Sequence, residues 1–489
     1  METLEQKYEH EKIGKLLLMF SVPSVISLVL NALYNMVDQI FIGNGVGYLG
    51  NGATNVIFPL TQLAIAIGLL IGDGTASYMN LKLGEGKREE AAKGMAAGLV
   101  ALTVSGVTLS ILLTVFLQPL CRLFGATDDI MPYALDYGYI IVAGTVFNIF
   151  PCGAMSIVRG NGGPKTAMLS MLTGFTINMI GDPLTIFVFH WGVKGAAIAT
   201  VLGQAASAGV CIVYLVCKKG TIQLTKKSFT GCIRYVPRTA KLGLSSFVTQ
   251  LTIVVVLYFQ NNLLVKYGAL SKYGAEIPLT ALGVTMKVFT LLQNAITGLC
   301  SGAQPIISYN YGRNLRSRVR HILKLLLILS AALMGLATIW FQLAPMSIVR
   351  IFGSADTLYN EFSVKCLRIF LMLIFLDSFQ MVGSSFLQSI GKPIPATALV
   401  LFRQIIVQIP AMLIMGALFG VDGLLYAGTL SSLLVGILSV VFLAREWRAL
   451  QERTAHCCGT RHDFICADLR QVADSHRNRA LSDHITRIH

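Results

Sequence analysis

The sequence predicts an all-α integral membrane protein: twelve transmembrane helices in two pseudo-symmetric six-helix lobes around a central cavity. Three observations carry that prediction. Of 489 residues 54% are apolar and only 13% charged, with a mean hydropathy of +0.67. A soluble domain carries about a quarter charged residues, so this chain has too little polar surface to face water on all sides. Apolar stretches begin near Leu16, Thr54, Ala92, Met131, Thr166, Ala196, Leu242, Leu279, Ile322, Thr357, Pro395 and Leu424. Each runs for roughly 20 to 28 residues, and about 20 helical residues cross a ~30 Å hydrocarbon layer. The third observation is duplication. Leu123-Phe124-Gly125-Ala126-Thr127-Asp128 recurs as Ile351-Phe352-Gly353-Ser354-Ala355-Asp356, and Gly192-Val193-Lys194-Gly195 as Gly420-Val421-Asp422-Gly423, both at a shift of 228 positions. Gly162-Gly163-Pro164 matches Gly391-Lys392-Pro393 within one residue.

Taken in order, residues 1–217 form the N-terminal lobe. Its first fifteen residues mix Glu5, Glu9 and Glu11 with Lys7, Lys12 and Lys15, which is not the cationic start of a cleaved signal peptide, so the first span is expected to stay as an anchor. Residues 218–241 carry seven basic and no acidic residues and read as a cytoplasmic linker. Residues 242–447 form the C-terminal lobe. Because the repeat shift covers an even number of spans, both lobes point the same way in the bilayer, and two such parallel bundles enclose a cavity. Residues 448–489 read as a polar, disordered cytoplasmic tail with no part in transport.

The net charge of +15 suggests nucleic acid until its placement is examined. Of 39 Lys and Arg residues, 30 lie in or immediately beside alternate gaps between spans, against 5 in the others. Basic residues resist translocation, so this asymmetry places both termini in the cytoplasm, in a multi-pass protein of the cell's cytoplasmic membrane. The charge is topological, and no nucleic-acid partner is expected. The cysteines imply no disulfide framework, since Cys121, Cys152, Cys211, Cys217, Cys300 and Cys366 lie in or beside apolar spans, where a thiol acts as a small hydrophobe.

Absent motifs narrow the function. No G-x-x-x-x-G-K-[ST] occurs, so ATP is not expected to drive this chain. Gly45, Gly47 and Gly50 spell G-x-G-x-x-G without a preceding strand, and no H-E-x-x-H is present. The tail's His456, Cys457, Cys458, His462 and Cys466 fit no standard zinc spacing, and no metal site is expected. An enzyme is therefore not predicted, and no cofactor is needed.

The informative residues are polar ones inside lipid, because a charge near the bilayer centre costs at least ~2.5 to 3.5 kcal/mol and must face a cavity or a partner. In the first span Asn31, Asn35 and Asp38 stack on one face of a helix that Pro23 can bend. The fifth span sets Asn178 and Asp182 one turn apart, with Pro183 removing a backbone donor beside them. Such groups suit a small cation or a proton, and the alternative for each is a hydrogen-bonded packing role. The second half offers no acid at the equivalent positions. It holds Lys287, expected to extend its stem to the interface, and Asp377 and Arg403, which either pair or contact substrate. Asp73, between Gly72 and Gly74, reads as a gate or helix-end residue.

Tyr34-Asn35-Met36-Val37-Asp38-Gln39-Ile40-Phe41-Ile42-Gly43, the Gly84-Glu85-Gly86 turn and Asn178-x-x-x-Asp182-Pro183 resemble the multidrug and toxic compound extrusion (MATE) family, over about residues 10 to 447. The resemblance is greatest to the bacterial branch with an N-lobe ion site. It implies that Asp38, Asn178, Asp182 and Thr200 coordinate the coupling ion, with Tyr137 beside them. It also implies that Asp377 matches an acid of the tenth helix in another branch, whose companion acid on the seventh helix is replaced here by Gln250. The implied function is export of organic cations, including drugs, in exchange for H⁺ or Na⁺ by alternating access, by a monomer in the lipid bilayer. The competing expectation is a flippase for a lipid-linked sugar or other anionic lipid on a similar two-lobed body.

Overall fold

The computed structural model describes the backbone of residues 4–46, 48–217, 220–274, 276–351 and 357–485; the side chains of 34–36, 38–40, 43–45, 48, 51, 351 and 452–485 lie outside the described residues. Of the expected tail, residues 448–489, the side chains from 452 on therefore lie outside them, as do residues 486–489 altogether. Among the described residues the chain is helical, without a β-strand. The spans are α1 (Ile13–Val46), α2 (Tyr48–Gly84), α3 (Arg88–Leu123), α4 (Met131–Ala143 and Thr145–Gly160), α5 (Pro164–Val188) and α6 (Gly192–Val216). The second half repeats them as α7 (Val236–Ala269), α8 (Glu276–Gly312), α9 (Arg316–Leu343) and α10 (Thr357–Lys365 and Ile374–Ser389). It closes with α11 and α12, the two arms of Pro393–Gln451 on either side of Gly420.

By length and composition nine of these helices among the described residues can cross a bilayer, and the bent α4 pair makes a tenth. The two arms at Gly420 are separate spans. A Cβ on Gly423 would overlap the Met415 carbonyl oxygen, eight residues back, which a straight helix rising 1.5 Å per residue holds about 12 Å away. The chain therefore folds back there, and with the interrupted α10 the total is twelve. Many large apolar side chains face outward: in α3 only 22% of the most apolar window is buried. That is the inverse of a water-soluble bundle and leaves lipid as the solvent.

The duplication is visible in the backbone. Gly86 and Asn314, 228 positions apart, both take positive φ (79° and 63°), and so do Gly192 and Gly420 (56° and 63°). α4 breaks at Gly144, bending by 50°, and α10 is interrupted at residues 371–373, the equivalent place. The seventh helix begins at Val236, earlier than hydropathy suggests, with Pro237 in its first turn, where a missing N–H costs nothing.

The two halves meet along α1 against α8 and α2 against α7 and α8. Small residues bring these backbones together. A Cβ on Gly84 would overlap the Tyr309 carbonyl, and one on Gly312 the Leu81 carbonyl. Leu81 and Tyr309 are themselves 228 apart, so the contact is isologous about the pseudo-twofold axis. Gly243 against Leu70, Gly74 against Thr239 and Gly302 against Ser21 extend the same close approach, as small residues do between helices in lipid. The N-terminal helix Leu4–His10 lies across this end. Tyr8 is fully buried against Phe20 and Tyr309, Glu5 pairs with Arg88 of α3, and Glu9 accepts from Tyr309 Oη and Arg313 Nε at 2.8 and 3.0 Å.

Candidate functional site

Between the halves lies a cavity of about 970 Å³, lined by α1, α2, α4, α5 and α6 on one side and α7, α8, α10, α11 and α12 on the other. Its apolar wall includes Phe175, Phe289 and Phe370 with Met155, Met171 and Met286, and glutamine and asparagine side chains supply much of its polarity.

On the N-terminal side Asn178, Asp182 and Thr200 come together. Asn178 and Asp182 are almost fully buried, at 2% and 1% exposure. One helical turn sets Asn178 Nδ2 3.2 Å from Asp182 Oδ1, and the same nitrogen donates to Thr200 Oγ1 of α6 at 3.1 Å. Asn178 Oδ1 has no hydrogen-bond partner among the described residues. The α5–α6 contact that allows this is tight, because a Cβ on Gly203 would lie 3.4 Å from Asn178 Cβ and overlap the backbone of Gly174. Asn178, Thr200, Asn31 and Tyr137 line the cavity, while Asp182 sits one turn further along α5 behind Asn178. Pro183 ends regular α-helix, and the π-turn Leu184–Val188 follows. There Thr185 Oγ1 donates to the Gly181 and Asp182 carbonyl oxygens at 2.9 and 3.3 Å, which satisfies the backbone oxygens nearest the carboxyl group. Pro23 lies inside α1, where Ser27 Oγ donates to its carbonyl at 2.7 Å. The side chains of Asn35 and Asp38, predicted for this site, lie outside the described residues.

On the C-terminal side Asp377 and Gln250 both line the cavity. Asp377 and Arg403 form the ion pair that was one of two expectations for them. Arg403 Nη2 donates to Asp377 Oδ2 and Nη1 to Gln380 Oε1, each at 2.9 Å, with both charges largely buried. Lys287, expected to reach for the interface, instead lies on the stripe of α8 that faces the cavity.

The residue whose partners the sequence did not suggest is Asp73. Its Oδ1 accepts from Ser156 of α4 at 2.7 Å and its Oδ2 from Ser246 of α7 at 2.8 Å, so one carboxylate ties the two halves together at the closed end of the cavity. Arg159 Nη2 donates to the same Ser156 hydroxyl, and Gln304 Nε2 reaches Ser77 Oγ and the Asp73 carbonyl at 2.8 and 3.2 Å. Gln388 Oε1 accepts from Ser245 at 2.8 Å. Gln304, Gln388, Ser245 and Ser246 lie inside apolar spans, and polar groups placed so deep in lipid were the available signal for them.

Comparison with known proteins places this architecture. The MatE family model matches residues 23–184 and 248–414, one segment in each half. The multidrug export protein MepA of Staphylococcus haemolyticus is 24% identical over 441 residues, covering 89% of this chain and 93% of its own. MepA of Staphylococcus aureus strain MRSA252 is 23% identical over 455 residues, covering 90% and 97%. Among solved structures, a multidrug resistance MATE transporter in an outward-facing conformation superposes with a TM-score of 0.85 at 22% identity, covering 92% of this chain and 100% of that one. A MOP superfamily transporter from Pyrococcus furiosus, described as having a binding pocket of reversed polarity, gives 0.83 at 21% identity, covering 91% and 98%.

Proposed function

The chain belongs to the MatE family, whose members are membrane transporters and not enzymes, and from that premise we propose that it exports amphipathic organic cations, drugs among them, in exchange for H⁺ or Na⁺. The observation that carries this reading is the buried Asn178–Asp182–Thr200 cluster opening on a cavity shared by both halves. MepA relatives named for multidrug export support the cargo class.

A carboxyl group held out of water is costly to leave charged and alone, so it exchanges a proton for a small cation instead. Asn178 contributes one amide to the Asp182 carboxylate and to Thr200 together, and its Oδ1 is a neutral oxygen of the kind that ligates Na⁺. Asp38 is assigned to the same ion site from its place on α1. Ion entry from outside then reshapes α1 about Pro23, releases the drug outward and allows the lobes to close, so that ion and drug favour different states. Exchange requires that difference, because a ligand bound equally by both states shifts neither. The contacts between halves lie at the end that carries the N-terminal helix. We infer from the placement of basic residues that this end is cytoplasmic, which makes the open end of the cavity the outward one.

A flippase for lipid pyrophosphates requires several free cations in the cavity. Here Arg403 is neutralised by Asp377, which argues against that cargo. The deciding measurement is efflux of a fluorescent organic cation from vesicles of purified protein, with proton and sodium gradients imposed separately. Export driven by at least one gradient and abolished by Asp182→Asn supports the proposal. Gradient-driven export undiminished in Asp182→Asn rejects the ion site, and absence of export under either gradient rejects the function.

A further inference from the structure

Charge is distributed unequally within the cavity. Five charged side chains line it among the described residues: Asp73, Arg159, Lys287, Asp377 and Arg403. Asp377 is paired with Arg403, and Asp73 and Arg159 share the Ser156 hydroxyl. Neither Arg159 nor Lys287 forms an ion pair with a described acid, but Arg159 is tied through the Ser156 hydroxyl to the Asp73 cluster, and Lys287 is the cavity cation without a polar contact among the described residues. It occupies the middle of a stripe, Gly283, Met286, Lys287, Thr290, Asn294 and Thr297, whose spacing of three and four turns one face of α8 to the cavity. Gly283, one turn away, leaves open space: a Cβ placed on it would meet nothing within 4 Å. The Lys287 side chain is exposed along the cavity, so a group entering that space can reach the ammonium. Its surroundings, Met286, Phe289 and Thr290, offer no second charge.

We propose that Lys287 receives an anionic group of the cargo, a carboxylate, so that the preferred substrates are zwitterionic amphiphiles whose cationic end faces the N-terminal wall, where Asn178 and Thr200 line the cavity in front of Asp182. The inference rests on the export reading and narrows it. A cargo of two charges spanning the cavity touches both lobes, which ties its occupancy to their relative position. A monocation engages the N-terminal side alone.

The test uses a matched pair: a fluorescent aromatic amine that bears a carboxylic acid, and its methyl ester, which keeps the cation and lacks the anion. Binding to purified wild-type protein is expected to favour the acid, and tighter binding of the ester overturns the proposal. Lys287→Met is expected to lower the acid-to-ester ratio about tenfold, in binding and in vesicle export, as loss of one charge-assisted hydrogen bond does, and Lys287→Arg to preserve it. Equal changes for both compounds, including none or total loss in folded protein, overturn it as well. Wild-type vesicles that export neither compound count against the export reading, whereas the binding preference of the wild-type protein reads Lys287 by itself.

Discussion

The residue-level chemistry divides the molecule into two unlike halves. In the N-terminal one a single amide, Asn178, bridges a carboxylate and a hydroxyl, so Asn178→Ala is expected to weaken coupling without unfolding the protein. The measurement is the ion concentration needed for half-maximal export, which should rise about tenfold for one lost ligand contact. In the C-terminal half the repeat-equivalent positions carry no acid, and Asp377 serves Arg403. Removing one partner of such a pair leaves a buried charge, so Asp377→Ala should destabilise by about 3 kcal/mol, the low end of the usual range because the pair lines a cavity. Thermal unfolding in detergent reads this, and Asp377→Leu with Arg403→Met should recover most of it. A double variant no more stable than Asp377→Ala would show that the pair is not the cause.

Helices in this protein are shaped by where they break. The interruptions at Gly144 and at 371–373, and the reversals at Gly192 and Gly420, recur at one spacing, so each half bends its fourth helix and folds its last hairpin in the same way. Between halves the determining feature is the absence of side chains. Gly243 lies so close to α2 that a methyl group there would overlap the Leu70 carbonyl. Gly243→Ala is therefore expected to part α2 from α7 and favour the state open at the other end. Labelling of a cysteine placed at Ser385 by a reagent added on the side of the N-terminus should increase several-fold. Unchanged labelling would mean that the contact does not set the conformation.

At the scale of the whole molecule, the two lobes share one closed end, and the N-terminal helix fastens it by linking Glu5 to Arg88 of one lobe and Glu9 to Arg313 of the other. Exposed ion pairs contribute only about 0 to 1 kcal/mol each, so the buried Tyr8 ring is the stronger part of that fastening. Deleting residues 1–12 should raise labelling from that side without preventing insertion, whereas deleting residues 449–489 should leave export unchanged. Loss of export in a folded tail deletion would give the tail a role.

Fold class was readable from the sequence because lipid imposes simple requirements on length, polarity and charge placement, and a shift of 228 positions exposes the duplication without any coordinates. Asn178 and Asp182 were readable for a related reason: a polar pair one turn apart inside an apolar span has few uses, and the helix alone fixes their distance. Other features depend on which helix faces which. Whether Asp377 pairs with Arg403, whether Lys287 turns to the bilayer edge or to the cavity, and that Asp73 joins Ser156 to Ser246 are all contacts across separate spans. Helical periodicity sets the face of one helix but not its neighbour. Only the packing of the two lobes brings residues 173 positions apart within hydrogen-bonding distance.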